Sequence, residues 1–417
     1  MLLTTPSAVS DWLERGAKTP ATVAGVDLRP LAGKFGAAAL EGSMFLGCTI
    51  DDDLACRMRA SKASILDEPV HFAPKLRAFR TSLYSVPDLY AGLAEDGAGW
   101  EGTPDYAGFE WFMDTTLRVP KRLPVALSLS AVLHDTLQEA LFRAFVHERE
   151  VVAIMGGHDV RRQPPQGARD IYWECVGLAK TLTEKGFLIA TGGGPGLMEA
   201  ANLGALLAHK PQAMVDHARA LMSNAPYGDK AWRETARDTR ALVLGSWDAE
   251  VPPAQFSLGM PTWHYGHEPP NMFASHHAKM FYNSLREDGL VTIANSGVVF
   301  FAGNAGTVQE IFQDATQNYY LGPGQSPTPM IFFNADGYWD RDPDNVYWPT
   351  SRPADRRKPL LPLIRQLALE KDFLKSLLVT DNPAAIVDFL EAVRRLGQPK
   401  KADFTMGNAL AEKHGNI

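Results

Sequence analysis

The chain has 417 residues, enough for two or three domains and a sizeable core. Apolar residues make up 45% and charged residues 21%, which is ordinary globular usage and excludes a disordered or collagen-like chain. Lys and Arg total 41 against 48 Asp and Glu, a net charge of −7, so no global basic field exists to hold a nucleic-acid backbone.

Residues 1–147 mix short apolar runs with turn clusters such as Asp51-Asp52-Asp53, and only 133–146 shows a long helical apolar pattern. A small N-terminal α+β domain is expected there. The opening MLLTTPSAVSDWLERG lacks a basic region followed by an apolar run, and no stretch of about 18 apolar residues occurs, so neither an export signal nor a membrane span is expected. Cys48, Cys56 and Cys175 are an odd number without metal-ligand spacing, which points to a reducing cytoplasm and away from a disulfide framework or a zinc site.

From Val151 the texture changes. VVAIM at 151–155 is a short apolar run bounded by Gly156-Gly157, the pattern of a buried parallel strand. Residues 170–185 carry apolar positions at helical spacing, with Asp170 suited to N-capping and Gly186 to stopping the helix. FLIAT at 187–191 supplies the next strand. Two helices, near 212–222 and 228–240, form an insert within 209–253 before the strand at 256–260. A Pro- and His-rich loop leads to a helix over 273–287, a strand at 297–303, a helix at 306–320, strands at 329–334 and 377–380, and a helix at 382–395. Residues 396–417 read as a tail, and no internal repeat stands out. Strand and helix alternation over 148–395 predicts a doubly wound, Rossmann-like parallel α/β sheet.

Two glycine loops each follow an apolar strand and open a helix: Gly192-Gly193-Gly194-Pro195-Gly196 and Gly303-Asn304-Ala305-Gly306-Thr307. Without side chains the backbone approaches an anion closely, and helix N-termini present free N–H groups to it. Neither loop has GxGxxG or GxxxxGK[ST] spacing, which disfavours a dehydrogenase or a P-loop ATPase.

The strings GGGPGLMEAANLGA and AGNAGTVQEIFQ resemble the glycine motifs of the LOG-type phosphoribohydrolases, often mislabelled lysine decarboxylases, over about 148–395. Gly156-Gly157-His158 and the extra N-terminal domain are more similar to the longer bacterial nucleoside 5′-monophosphate nucleosidases of that superfamily. The resemblance implies hydrolysis of the N-glycosidic bond of a nucleoside 5′-monophosphate to free base and ribose 5-phosphate, without metal or organic cofactor, in a homodimer or larger assembly; the charge balance and the lack of a long apolar run lead to no expected nucleic-acid or membrane partner. It places the 5′-phosphate at Gly303–Thr307, with Gly192, Gly193, Gly194 and Gly196 lining the same crevice. Glu310, in the GTxxE position, is the candidate carboxylate that balances positive charge growing at C1′. Thr307-x-x-Glu310 also reads as a capping box.

The family's Met-x-x-Arg-Lys segment has no counterpart string here. His276 and His277 stand nearest by position, and Lys279 and Arg286 are the available catalytic cations. Ala302-Gly303-Asn304 replaces the family's PGG, and an altered arginine segment with such a loop also fits a nucleotide sensor that does not turn its ligand over. Gly157, His158, Met198, Glu199, His267 and Glu268 are the expected substrate contacts, with His264 in the same loop. Glu199 is equally explained as a first-turn carboxylate favoured by the helix dipole. Arg161 and Arg162 could add charge near the phosphate. Amino-acid decarboxylation would need a Schiff-base lysine, and none is singled out.

Overall fold

Seven short apolar runs form one sheet: β1 (Val151–Met155), β2 (Leu188–Thr191), β3 (Ser257–Gly259), β4 (His276–His277), β5 (Gly297–Phe300), β6 (Met330–Phe333) and β7 (Leu377–Thr380). The computed structural model describes residues 1–222, 229–265, 268–322, 324–340 and 357–396. Every strand pair is parallel, and the order across the sheet is β4-β3-β2-β1-β5-β6-β7. Side chains alternate between two cores as a two-residue period requires. Val152, Ile154, Ile189 and Val299 enter one core, and Val151, Ala153, Met155 and Val298 enter the other. Burial on both faces is why these strands read as unbroken apolar runs.

The connecting helices are α1 (Val125–Val146), α2 (Ile171–Glu184), α3 (Leu197–Leu206), α4 (Gln212–Met222), α5 (Lys230–Leu244), α6 (Asn283–Ile293), α7 (Ala305–Tyr319), α8 (Leu361–Glu370) and α9 (Pro383–Arg395). α2, α3 and α9 pack on the first face and α6, α7 and α8 on the second, while α1 places Ala131 and Leu137 in the first core and Phe142 and Val146 in the second. The Asp170 side chain accepts the Trp173 N–H, the cap expected for α2. Winding reverses at β1. A crevice therefore opens between β1 and β5 beyond their carboxyl ends, where ligands of doubly wound sheets bind.

The helix expected over 273–287 is the clearest departure. Its first half is extended: β4 pairs with β3, and Tyr84 and His277 exchange backbone hydrogen bonds of 2.9 and 2.7 Å. Helix α6 begins only at Asn283. Phe273, Ala278, Met280 and Phe281 are fully buried, because the segment is enclosed on both sides at the sheet edge. It therefore offers no apolar surface to another subunit. Exposed large apolar side chains include Leu117, Val119, Val125, Leu129 and Val132, and α1 begins well before residue 133. Among the described residues no helix is long and apolar enough to cross a membrane.

A repeat also emerges in the N-terminal region. Four short strands, Leu2–Leu3, Thr22–Ala24, Met44–Leu46 and Ser64–Leu66, form a second parallel sheet, with register partners separated by 20, 22 and 20 residues. Gly25 and Gly47, just after the second and third strands, share a left-handed φ of 63° and 56°. Helices Pro6–Glu14 and Asp52–Ala60 contribute to this region's own core of Val9, Trp12, Val23, Phe45, Leu54 and Met58. Strands of two or three residues leave too little patterned sequence for the repeat to be read directly.

Candidate functional site

The loops after β1, β2 and β5 meet at the crevice. They enclose a pocket of about 420 Å³, in the size range of small-molecule sites, lined by Gly156, Gly157, His158, Gly192, Gly194, Met198, Glu268, Arg286, Glu287, Asn304, Ala305, Gly306, Thr307 and Glu310. Helix α7 follows an extended Asn304 whose side chain makes no cap. The first-turn amides of Ala305, Gly306 and Thr307 have no intrahelical partners by geometry, and the positive end of the helix dipole faces the pocket. A Cβ at Gly303 would collide with the Thr307 side chain, so only glycine lets that side chain close over the turn. Thr307 is the third residue of α7 and not its cap, so the expected capping box with Glu310 is absent.

The first glycine loop works differently. Gly196 has φ 68°, and a Cβ there would meet the Gly157 carbonyl oxygen at 2.5 Å. The Leu197 N–H donates to that same carbonyl at 3.1 Å. The Gly193 carbonyl accepts from the Asn271 N–H at 2.8 Å. Gly192 and Gly194 line the pocket, whereas Gly193, Gly196 and Gly303 shape the loops behind it.

Charge concentrates on the α6–α7 side. Arg286 Nη1 lies 2.9 Å from Glu287 Oε1 and 3.5 Å from Glu310 Oε1. Burial pushes the Glu310 carboxyl up to about 8, the negative Glu287 adds to this, and Arg286 opposes it. Asn283 Nδ2 donates to Glu287 Oε1 at 3.4 Å and to the Tyr265 hydroxyl at 3.3 Å. Glu287 Oε2 and Arg286 Nε are buried without a hydrogen-bond partner among the described residues. At the pocket mouth His158 Nδ1 faces Glu268 Oε1 at 3.6 Å, and the exposed ring of Tyr265 stands at the rim.

Several expected site residues are placed elsewhere. Glu199 is enclosed: Arg162 binds it bidentately at 2.7 and 2.8 Å, and the Tyr172 hydroxyl donates to it at 2.6 Å. Arg162 also donates to Thr235 Oγ1 at 2.9 Å and stacks over Trp232, so it is an internal tie and not a phosphate ligand. Arg161 is exposed. Lys279 is fully buried, paired with Asp105 and set against the Trp263 ring, and does not line the pocket. His276 packs on Phe145 and Phe256, and burial with nearby Arg149 lowers it to about 4. His277 bonds the Asn271 carbonyl at 3.0 Å and is lowered to about 3, chiefly by burial. Both are neutral packing residues at pH 7. His264 packs near Phe112 and Tyr265, outside the pocket lining. His267 lies outside the described residues.

Glu287 was not legible as a site residue, because it reads as one charge in the exposed-looking string Arg286-Glu287-Asp288. Its signal was adjacency to Arg286, which becomes informative only once α6 is known to start at Asn283.

No family model matches the chain, and no curated protein matches it. Among solved structures, a molybdenum cofactor binding protein from the phototrophic bacterium Rippkaea orientalis aligns at 13% identity and a TM-score of 0.32, over 59% of this chain and 98% of that one. The structural-genomics target TM1055 aligns at 16% identity and a TM-score of 0.32, over 58% of this chain and 99% of its own. The fold assignment rests on the strand order described above.

Proposed function

We propose that the crevice binds a nucleoside 5′-monophosphate and hydrolyses its N-glycosidic bond, releasing free base and ribose 5-phosphate. One juxtaposition supports this reading. Helix α7 offers its first-turn amides to the pocket and, one turn further on, carries Glu310 beside Arg286. A phosphate held at the helix N-terminus leaves the rest of the nucleotide next to that carboxyl group. The resemblance of the glycine loops to the LOG-type motifs adds to this. Arg286, and not Lys279, is the cation of this reading, and no metal or organic cofactor enters it.

The direct test is incubation with a panel of monophosphates and assay of free base. Release from at least one is the expected result, while binding of monophosphates with no release from any would favour a nucleotide sensor. Calorimetry should also show a monophosphate binding far more tightly than its nucleoside. Equal affinities would remove the basis for placing phosphate on α7.

Gly306 provides an independent check. Nothing lies within 4 Å of a Cβ built there, so Gly306→Val has room to fold yet sets a branched side chain on the amide surface facing the pocket. The expected variant keeps the parental melting temperature within a few degrees and loses nucleotide binding. Parental binding in a folded variant would make the loop a turn only.

A further inference from the structure

The pocket holds two carboxyl groups, Glu287 and Glu310, that share one guanidinium. Arg286 Nη1 is 2.9 Å from Glu287 Oε1 and 3.5 Å from Glu310 Oε1. Both carboxyl side chains are almost completely enclosed, at 3% and 9% exposure. One arginine charge cannot compensate two adjacent buried carboxylates, and in such pairs one member keeps its proton. The closer partner of the arginine is Glu287. Its other oxygen, Glu287 Oε2, is buried, unpartnered among the described residues, and part of a pocket-lining side chain.

Resting on the nucleosidase reading for its chemistry, we infer that Glu287 and Glu310 are a proton-sharing pair with divided roles: Glu310 holds the proton for the departing base, and Glu287 supplies the standing negative charge beside the sugar. As the C1′–N bond breaks, its electron pair goes to the base nitrogen, which takes the proton from Glu310. Water adds to C1′ through its oxygen and gives up a proton to Glu310, restoring the pair. Atoms and charge balance as nucleotide plus water giving base plus ribose 5-phosphate. Glu287 stays ionised throughout, and Oε2 is placed to accept a ribose hydroxyl. The raised proton affinity of Glu310 agrees with this division.

Among the described residues, the charged or titratable groups that line the pocket with the pair are Arg286, on the same helix as Glu287, and His158, Tyr265 and Glu268. Infrared difference spectroscopy between the ligand-free parent and Glu310→Gln reads the proton directly. The expected result at pH 7 is a protonated-carboxyl band in the parent that Glu310→Gln lacks. Glu287→Gln should abolish that band at pH 7, since Arg286 then serves Glu310 alone, whereas Glu287→Asp should retain it. Absence of the band from the parent, or its persistence unchanged in a folded Glu287→Gln, would overturn the pairing. The spectra require no turnover, so a failed pair is distinguished from a failed nucleosidase reading, which the free-base assay tests by itself.

Discussion

Glu310→Gln is expected to lower nucleosidase turnover by about a hundredfold or more, an increase of about 3 kcal/mol in the barrier. The side chain is buried among Arg286 and Glu287, and its carboxyl is pushed up to about 8, first by burial and then by Glu287. At pH 7 it is mostly protonated, which suits a proton donor to a leaving base. An amide matches its shape but has no acidic proton to give. Glu310 makes no capping box, since Asn304 precedes the helix and Thr307 is already inside it, so the substitution leaves the helix start untouched. Nucleotide binding should remain within a few-fold. Parental turnover should decline as pH rises through about 8, where Glu310 loses its proton, and the residual activity of the variant should lack that limb. Parental turnover in the variant, or a parental profile flat across this range, would remove Glu310 from the chemistry.

Arg162→Met is expected to cost about 3–5 kcal/mol of stability, because it strands the Glu199 carboxylate in the core beside the Tyr172 hydroxyl, with no cation left to balance its charge. Folded domains have only about 5–15 kcal/mol in total, so the loss should be plain in denaturant titration. Arg162 also ties together the loop after β1, α3 and α5 through Glu199, Thr235 and the Trp232 ring. Replacing both partners, as Arg162→Met with Glu199→Leu, removes the stranded charge and should recover much of the stability. A loss below about 1 kcal/mol in the single variant would mean that Glu199 reaches water, contrary to its complete burial.

The parallel sheet was legible because its cause is local. A strand covered on both faces must be an unbroken apolar run, and VVAIM, FLIAT and PMIFF are that. The glycine loops were legible for a similar reason: a chain that turns from strand to helix in five residues needs glycine where φ is positive or another backbone crosses closely, as at Gly196. The segment 273–281 misled because helical spacing and enclosure at a sheet edge both scatter apolar residues through a short window, and only the pairing with β3 and Tyr84 separates them. The charged residues were settled by tertiary structure alone. Lys279 is neutralised by Asp105, 174 positions away, and Glu199 by Arg162, 37 positions away; a carboxylate or ammonium carries no local mark of such a partner. Arg286 and Glu287 remain in the pocket because α6 starts where it does and turns them toward Glu310 on the neighbouring helix. Local patterning determined where glycine lets the backbone turn from strand into helix beside the crevice, and long-range packing decided which charges were left facing it.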